Sequence, residues 1–157
     1  MRCANGGLLG MYNSLSALKT LCNHSNWTIS NLQANKLLYI AHMLHIAKSP
    51  NNEPLVQEAF EAWDYGPVLP SVYHSAKAFG DKPIRNIYQN QITVVPNTLA
   101  YELLKEAAEF NVGKPASKLV AITHWEGGAW AKNYIAGARG QLISNADILE
   151  EVKARAA

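Results

Sequence analysis

Residues 60–73 read Phe60-Glu-Ala-Trp63-Asp-Tyr65-Gly66-Pro67-Val-Leu-Pro70-Ser-Val-Tyr73, and this stretch decides the fold. Three large aromatics bracket a Gly-Pro pair and a second proline, so bulky rings sit beside a backbone with little freedom to rearrange. Upstream of the glycine, residues 55–65 alternate roughly between apolar and polar and are rich in aromatics, which predicts a strand. Downstream, Pro67 or Pro70 suits the first turn of a helix, where a missing amide costs nothing. Leu69, Val72, Ala76 and Phe79 form the apolar stripe of that helix up to Gly80. The stretch therefore reads as a corner between a strand and a helix.

Working outward, the segment before it is the clearest helix in the chain. Ser30 and Gln33 make a capping box, and the helix is expected over residues 31–48. Its apolar side chains (Leu32, Leu37, Leu38, Ile40, Leu44, Ile46) point in nearly every direction, which is the signature of a buried helix, while Asn31, Asn35, His42 and His45 share one narrow sector. Earlier, Leu15, Leu18 and Leu21 predict a first helix after Asn13 or Ser14. After residue 80, Ile84 to Val95 look extended and are expected to pair with residues 55–63 in a two-stranded sheet. Further helices are expected from Pro96-Asn97 to about Phe110, over residues 117–124, over residues 130–136, and after a Ser144 cap to the end. The fold class is mainly α with a small antiparallel β element, a multi-helix domain built around the buried central helix.

Length and composition agree with one domain. The chain has 157 residues, 48% hydrophobic and 17% charged, with a net charge of +2. We expect a flexible leader over residues 1–13 and a single domain over 14–157. A near-neutral chain without blocks of like charge lacks the electrostatic footprint of a nucleic-acid binder. Cys3 and Cys22 fit neither a disulfide framework nor a metal-ligand spacing, so a reducing, cytoplasmic setting is expected. No stretch reaches the apolar length of a signal peptide or a membrane span. So few charges for a freely solvated monomer leave room for partners, a second copy of the chain among them.

Chemistry is harder to place. His42 and His45 lie one helical turn apart, and His74 and His124 stand elsewhere, but no carboxylate or cysteine joins them in a zinc signature. Hydrogen-bonded side chains on a polar strip are the simpler reading, so no metal, cofactor or catalytic residue is assigned. Glu58, Glu61, Glu150 and Glu151 are read as lying on solvated faces. Trp63, Tyr65 and Tyr73, together with His124, Trp125 and Trp130, form two aromatic segments in which tryptophan lies near glycine. Such residues either anchor a small core or serve as contact hot spots.

Several stretches together resemble the Panacea domain, the family of SocA-like antitoxins and phage-associated GepA-type proteins. They are Lys36-Leu-Leu-Tyr39-Ile-Ala-His42, the Phe60–Tyr73 run, Thr123-His124 with Glu126 and Trp130, and Ile143-Ser with Ile148. The resemblance implies a small, mainly helical, non-enzymatic protein that neutralises a cognate toxin by binding it. It implies Lys36, Tyr39, Gly66, Pro67 and Pro70 as structural motif residues and Trp63, Tyr65, Tyr73, His124, Trp125 and Trp130 as candidate contacts. One branch of the family also implies an adaptor that delivers a toxin to the ClpXP protease. A protein built on its histidines as a metal site or enzyme is the reading that stands apart from the family. The chain departs from the expected pattern at Ala129, where a proline is expected before the tryptophan.

Overall fold

The computed structural model describes residues 11–157; Cys3 and the first ten residues of the expected leader lie outside the described residues. Seven helices and one small sheet follow in the order α1 (Ser14–His24), α2 (Asn31–Lys48), β1 (Phe60–Trp63), β2 (Gly66–Val68), α3 (Pro70–Ala76), α4 (Leu99–Asn111), α5 (Ala116–Thr123), α6 (Ala129–Asn133), β3 (Leu142–Ile143) and α7 (Asn145–Ala156). Local chemistry sets most of the boundaries. Asn13, Ser30, Thr98 and Ser144 each accept a hydrogen bond from a backbone N–H in the first turn of the helix that they precede. Ser30 and Gln33 complete the capping box in both directions. Pro70 occupies the first turn of α3, and a 3-10 turn at Lys77–Phe79 carries the chain to Gly80. Tyr12 is already tied in, since its N–H donates to the Leu55 carbonyl and its carbonyl accepts from the Gln57 N–H.

α2 is the centre of the molecule. It packs against α1, α3, α4, α5, α7 and β2, and twelve of its eighteen residues are buried. The polar sector is buried with the rest, and every member has partners. Asn31 Nδ2 donates to the Tyr73 carbonyl, and Asn35 Nδ2 donates to Asn31 Oδ1. His45 Nδ1 lies 2.6 Å from the Glu53 carbonyl. His42 accepts the Val56 N–H at Nδ1, which leaves its Nε2 as the donor to Asn145 Oδ1 at 2.9 Å. Burial depresses the His42 imidazole from its ordinary 6.5 to about 4, so it is neutral in this setting.

The sheet differs from the expected one. β1 is shorter than the predicted strand and pairs with β2 (Ala62 opposite Pro67) and with β3 (Phe60 opposite Ile143), giving the order β2-β1-β3, antiparallel throughout. Residues 84–95 form no strand. Instead Ile84 N donates to the Ile29 carbonyl, and the Lys19 ammonium and Thr20 hydroxyl hold the Gln91 carbonyl and the Val94 N–H, so the segment lies against α1 as irregular chain. The physical reason is proximity. A hairpin closed by Asp64 and Tyr65 brings β2 to β1 across two residues, whereas a partner starting at residue 84 requires a loop about ten times longer, at a closure cost greater by roughly 2 kcal/mol. Gly66 makes this turn possible, since its φ of +113° is closed to ordinary L-residues. β3 has only two residues and carries no periodic signal, so it escaped the sequence reading.

Two measurements check this account of the centre. Asn35→Ala strands the buried Leu69 N–H that Asn35 Oδ1 accepts, and is expected to lower stability in urea by about 2 kcal/mol. Between pH 6.5 and about 4 the unfolded chain takes up a proton that the folded His42 refuses, so stability falls as the pH drops through this window. In His42→Gln that loss should shrink by about 3 kcal/mol, read as the difference between the two urea series.

Candidate partner-binding site

The hairpin of β1 and β2 gathers most of the candidate residues on one side of the molecule. Phe60 and Ala62 alternate inward, which turns Glu61 and Trp63 outward. Trp63 donates from Nε1 to Glu61 Oε1 at 2.9 Å, and its ring meets Tyr73 edge-on at 4.9 Å. His74 stands next to Tyr73 at 5.3 Å, and the Arg139 guanidinium lies over the Trp63 ring at 5.2 Å. A second stack abuts the first. The Trp130 ring is sandwiched between His124 at 3.7 Å and Tyr134 at 4.7 Å, both nearly parallel to it. Trp130 Nε1 donates to the Trp63 carbonyl at 2.7 Å, and the Tyr134 hydroxyl donates to Asp64 Oδ1 at 2.6 Å. α6 and the chain after it thus clamp the turn of the hairpin. Tyr65, at the tip of that turn, is left 68% exposed.

Beneath the hairpin lies an unusual foundation. Lys36 is 0% exposed, and its ammonium nitrogen donates to the Pro67 carbonyl at 2.8 Å. A Cβ on Gly66 would meet Lys36 Cε and Thr123 Oγ1 at 3.1 Å and His124 Cδ2 at 3.3 Å, so the hairpin rests directly on these three side chains. None of the described ion pairs includes Lys36. Burial without a counter-charge drives its pKa from 10.5 down to about 7. His124 is lowered as well, first by burial and then by the neighbouring Lys36, with the Tyr65 backbone acting against the shift.

The remaining predicted residues fall in two groups. Tyr39 is wholly buried and donates from its hydroxyl to Glu151 Oε1 at 2.7 Å, while Pro67 lies in β2 and Pro70 opens α3. Trp125 stands apart from the hairpin, with the Arg155 guanidinium 4.7 Å above its ring. His42, His74 and His124 do not converge, and no group of three or more His, Cys, Asp or Glu side chains among the described residues is arranged to hold a metal ion. No helix among the described residues is long and apolar enough to cross a membrane.

Glu151 is not on a solvated face; it is 2% exposed and is satisfied by Tyr39, by the Ala129 N–H at 3.0 Å and by an ion pair with Arg155 at 2.7 Å. A buried carboxylate survives only with such partners. The signal was in the sequence, because Glu151 follows Ile148 by three residues and so shares its inward stripe on α7. Glu58 is also partly buried, accepting from Ser14 and Ser71. Ala129 matters for the same reason: a proline there would have no N–H to give to Glu151.

The family described as "Antitoxin SocA-like, Panacea domain" matches residues 34–131, which contain β1, β2 and every candidate contact residue. The chain belongs to this SocA-like Panacea family. Antitoxin SocA of Caulobacter vibrioides (strain NA1000 / CB15N) is 35% identical over 111 residues, covering 65% of this chain and 58% of that protein. The chain thus corresponds to well under two thirds of that relative's length. No solved structure matches. β3, Glu151 and Arg155 lie beyond the matched region, so the Panacea segment here borrows a strand and a buried carboxylate from the chain that follows it.

Lys36 gives the site a measurable alkaline signature. From pH 7 to about 10.5 the unfolded chain holds the lysine proton that the folded chain releases, so stability should rise with pH across this range. Replacing Lys36→Met removes that component. The gain between pH 7 and 9 is expected to be about 2 kcal/mol larger in the parent than in the variant, measured by urea unfolding at both pH values.

Proposed function

We propose that this protein is an antitoxin that neutralises a toxin by direct binding, with the outer face of the hairpin as its contact surface. Membership of the SocA-like family supports the antitoxin role. The observation that favours the hairpin is the clamped turn that leaves Tyr65 68% exposed above a half-buried cluster of Trp63, Tyr73 and Trp130. Tyrosine and tryptophan held rigid before contact lose little side-chain entropy on binding, which is what hot-spot residues require. Leu142, 61% exposed and opposite the outward-facing Glu61, extends the same face with apolar surface. Arg139 over Trp63 supplies a cation at its edge. Nothing in this arrangement calls for a bond to be made or broken, so the reading is one of binding.

Co-expression with the protein encoded beside it provides the test. The neighbour should arrest growth alone and be tolerated in the presence of this protein, and the two should co-purify. Tyr65→Ala and Trp63→Ala are each expected to weaken the complex about 30-fold, the usual effect at a hot spot, and to restore toxicity. Ile92→Ser, on the irregular segment along α1, should leave the complex intact. A harmless neighbour, or toxicity that persists with the parent protein present, removes the antitoxin reading. Full protection by Tyr65→Ala and Trp63→Ala leaves the antitoxin role standing and removes the hairpin as its surface.

A further inference from the structure

The chain between α3 and α4 carries a surface that the hairpin does not use. Ile84, Tyr88 and Val94 are buried, and a hydrogen bond fastens the segment at each of them. The Ile84 N–H donates to the Ile29 carbonyl at 2.8 Å, the Tyr88 hydroxyl lies 2.8 Å from Ser75 Oγ, and the Val94 N–H donates to Thr20 Oγ1 at 2.9 Å. Trp27 gives further support. Its backbone lies in the left-handed region at φ +58°, which is costly for a bulky residue, and its ring stands nearly parallel to Tyr88 at 6.2 Å. Between the fastened points the chain turns apolar side chains outward. Ile87, Ile92 and Val95 are 56%, 78% and 57% exposed, three of the eight large apolar side chains that are exposed among the described residues. A surface loop ordinarily carries polar residues at such positions, so β-branched side chains gathered there mark a contact surface.

Charge decides which partner fits. From Tyr65 to Tyr101 the only acidic residue is Asp81, whereas Lys77, Lys82 and Arg85 are exposed and enter none of the described ion pairs. A fourth cation, the Lys19 ammonium, sits 2.8 Å from the Gln91 carbonyl, next to Ile92 in the chain. We propose that residues 77–95 form a docking surface for an acidic segment of a partner protein, whose apolar side chains cover Ile87, Ile92 and Val95 while its carboxylates meet Lys82, Arg85 and Lys19. The aliphatic contacts supply affinity, and the complementary charge supplies selectivity and speed of encounter. A second copy of this chain does not suit the face, because a two-fold contact would bring the same cations together. Nucleic acid would answer the cations but leave three aliphatic side chains uncovered, and residues 77–95 expose no aromatic ring on which a base can stack. Since the segment is fastened before contact, little chain entropy is lost when a partner arrives.

The test is fluorescence anisotropy of short labelled peptides titrated with the full chain at low salt. A peptide of alternating glutamate and leucine should bind, and bind less well as salt rises, while alternating lysine and leucine, or alternating glutamate and serine, should not. Amide-resolved NMR should place the glutamate-leucine peptide on the signals of Arg85, Ile87 and Ile92. Ile87→Ser and Arg85→Glu, both at exposed positions, should each weaken binding at least about tenfold. The proposal is overturned if the glutamate-leucine peptide does not bind, if either control peptide binds equally, or if a variant binds like the parent. It is also overturned if an oligothymidine strand shifts those NMR signals and the peptide does not, which would assign the face to nucleic acid. Sedimentation showing a dimer that Ile87→Ser dissociates would overturn it too, by assigning the face to a second copy of the chain.

Discussion

One edge of the sheet is closed by a helix rather than by a strand, and much of the structure follows from it. β2 lies at the edge of β2-β1-β3, where backbone groups on its far side would ordinarily be open. Two side chains of α2 take the place of a fourth strand. Asn35 Oδ1 accepts the Leu69 N–H at 2.9 Å and Lys36 Nζ donates to the Pro67 carbonyl at 2.8 Å. Consecutive residues on one helix thus satisfy an acceptor and a donor two positions apart, on Pro67 and Leu69. Proline suits this edge because it has no N–H that a strand partner would need to accept. The hairpin is thereby locked in register against the central helix, and α3, which starts at Pro70, is launched from a fixed point.

The lock has a cost that the rest of the site is arranged around. A lysine with no carboxylate beside it gains little from burial, and the structure tolerates it by letting the ammonium lose its proton readily. Glycine at position 66 suits both the φ of +113° and the close approach of Lys36, Thr123 and His124, which a Cβ would meet at 3.1–3.3 Å. The buried carboxylate of α7, Glu151, is treated in the opposite way. It is paired with Arg155 and accepts from the Tyr39 hydroxyl and the Ala129 N–H. α2 therefore carries two adjacent polar anchors, Lys36 toward the hairpin and Tyr39 toward α7.

The helices were legible in the sequence because their signals are local. The Ser30–Gln33 capping box and the Ser144 cap fixed where α2 and α7 begin, and the all-round apolar pattern of α2 placed it at the centre. The hairpin was not legible, because Asp64-Tyr65 is not one of the glycine-asparagine pairs that announce a two-residue turn and the left-handed residue follows it at Gly66. The extended segment at 84–95 was mistaken for the strand's partner for want of that signal. The aromatic residues of the site were visible individually, but their meeting was not. Trp63 and Trp130 are 67 residues apart, and only the tertiary fold brings the indole N–H of one to the carbonyl of the other.

The clamp around the hairpin bears on why so much aromatic surface is left near solvent. A flexible turn carrying Tyr65 would lose conformational entropy on meeting a partner, and that loss would be taken from the affinity. Here the turn is fixed beforehand from three directions: Tyr134 on Asp64, Trp130 on the Trp63 carbonyl, and Lys36 on the Pro67 carbonyl. Each of these bonds is made by a residue that is more buried than the Tyr65 ring. Under the proposed binding role, the scaffold and contact readings of the aromatic segment are complementary: Trp130 and the buried Lys36 hold the turn in one conformation, and Tyr65, with Trp63 and Arg139 beside it, stands at the surface that the proposal assigns to a partner.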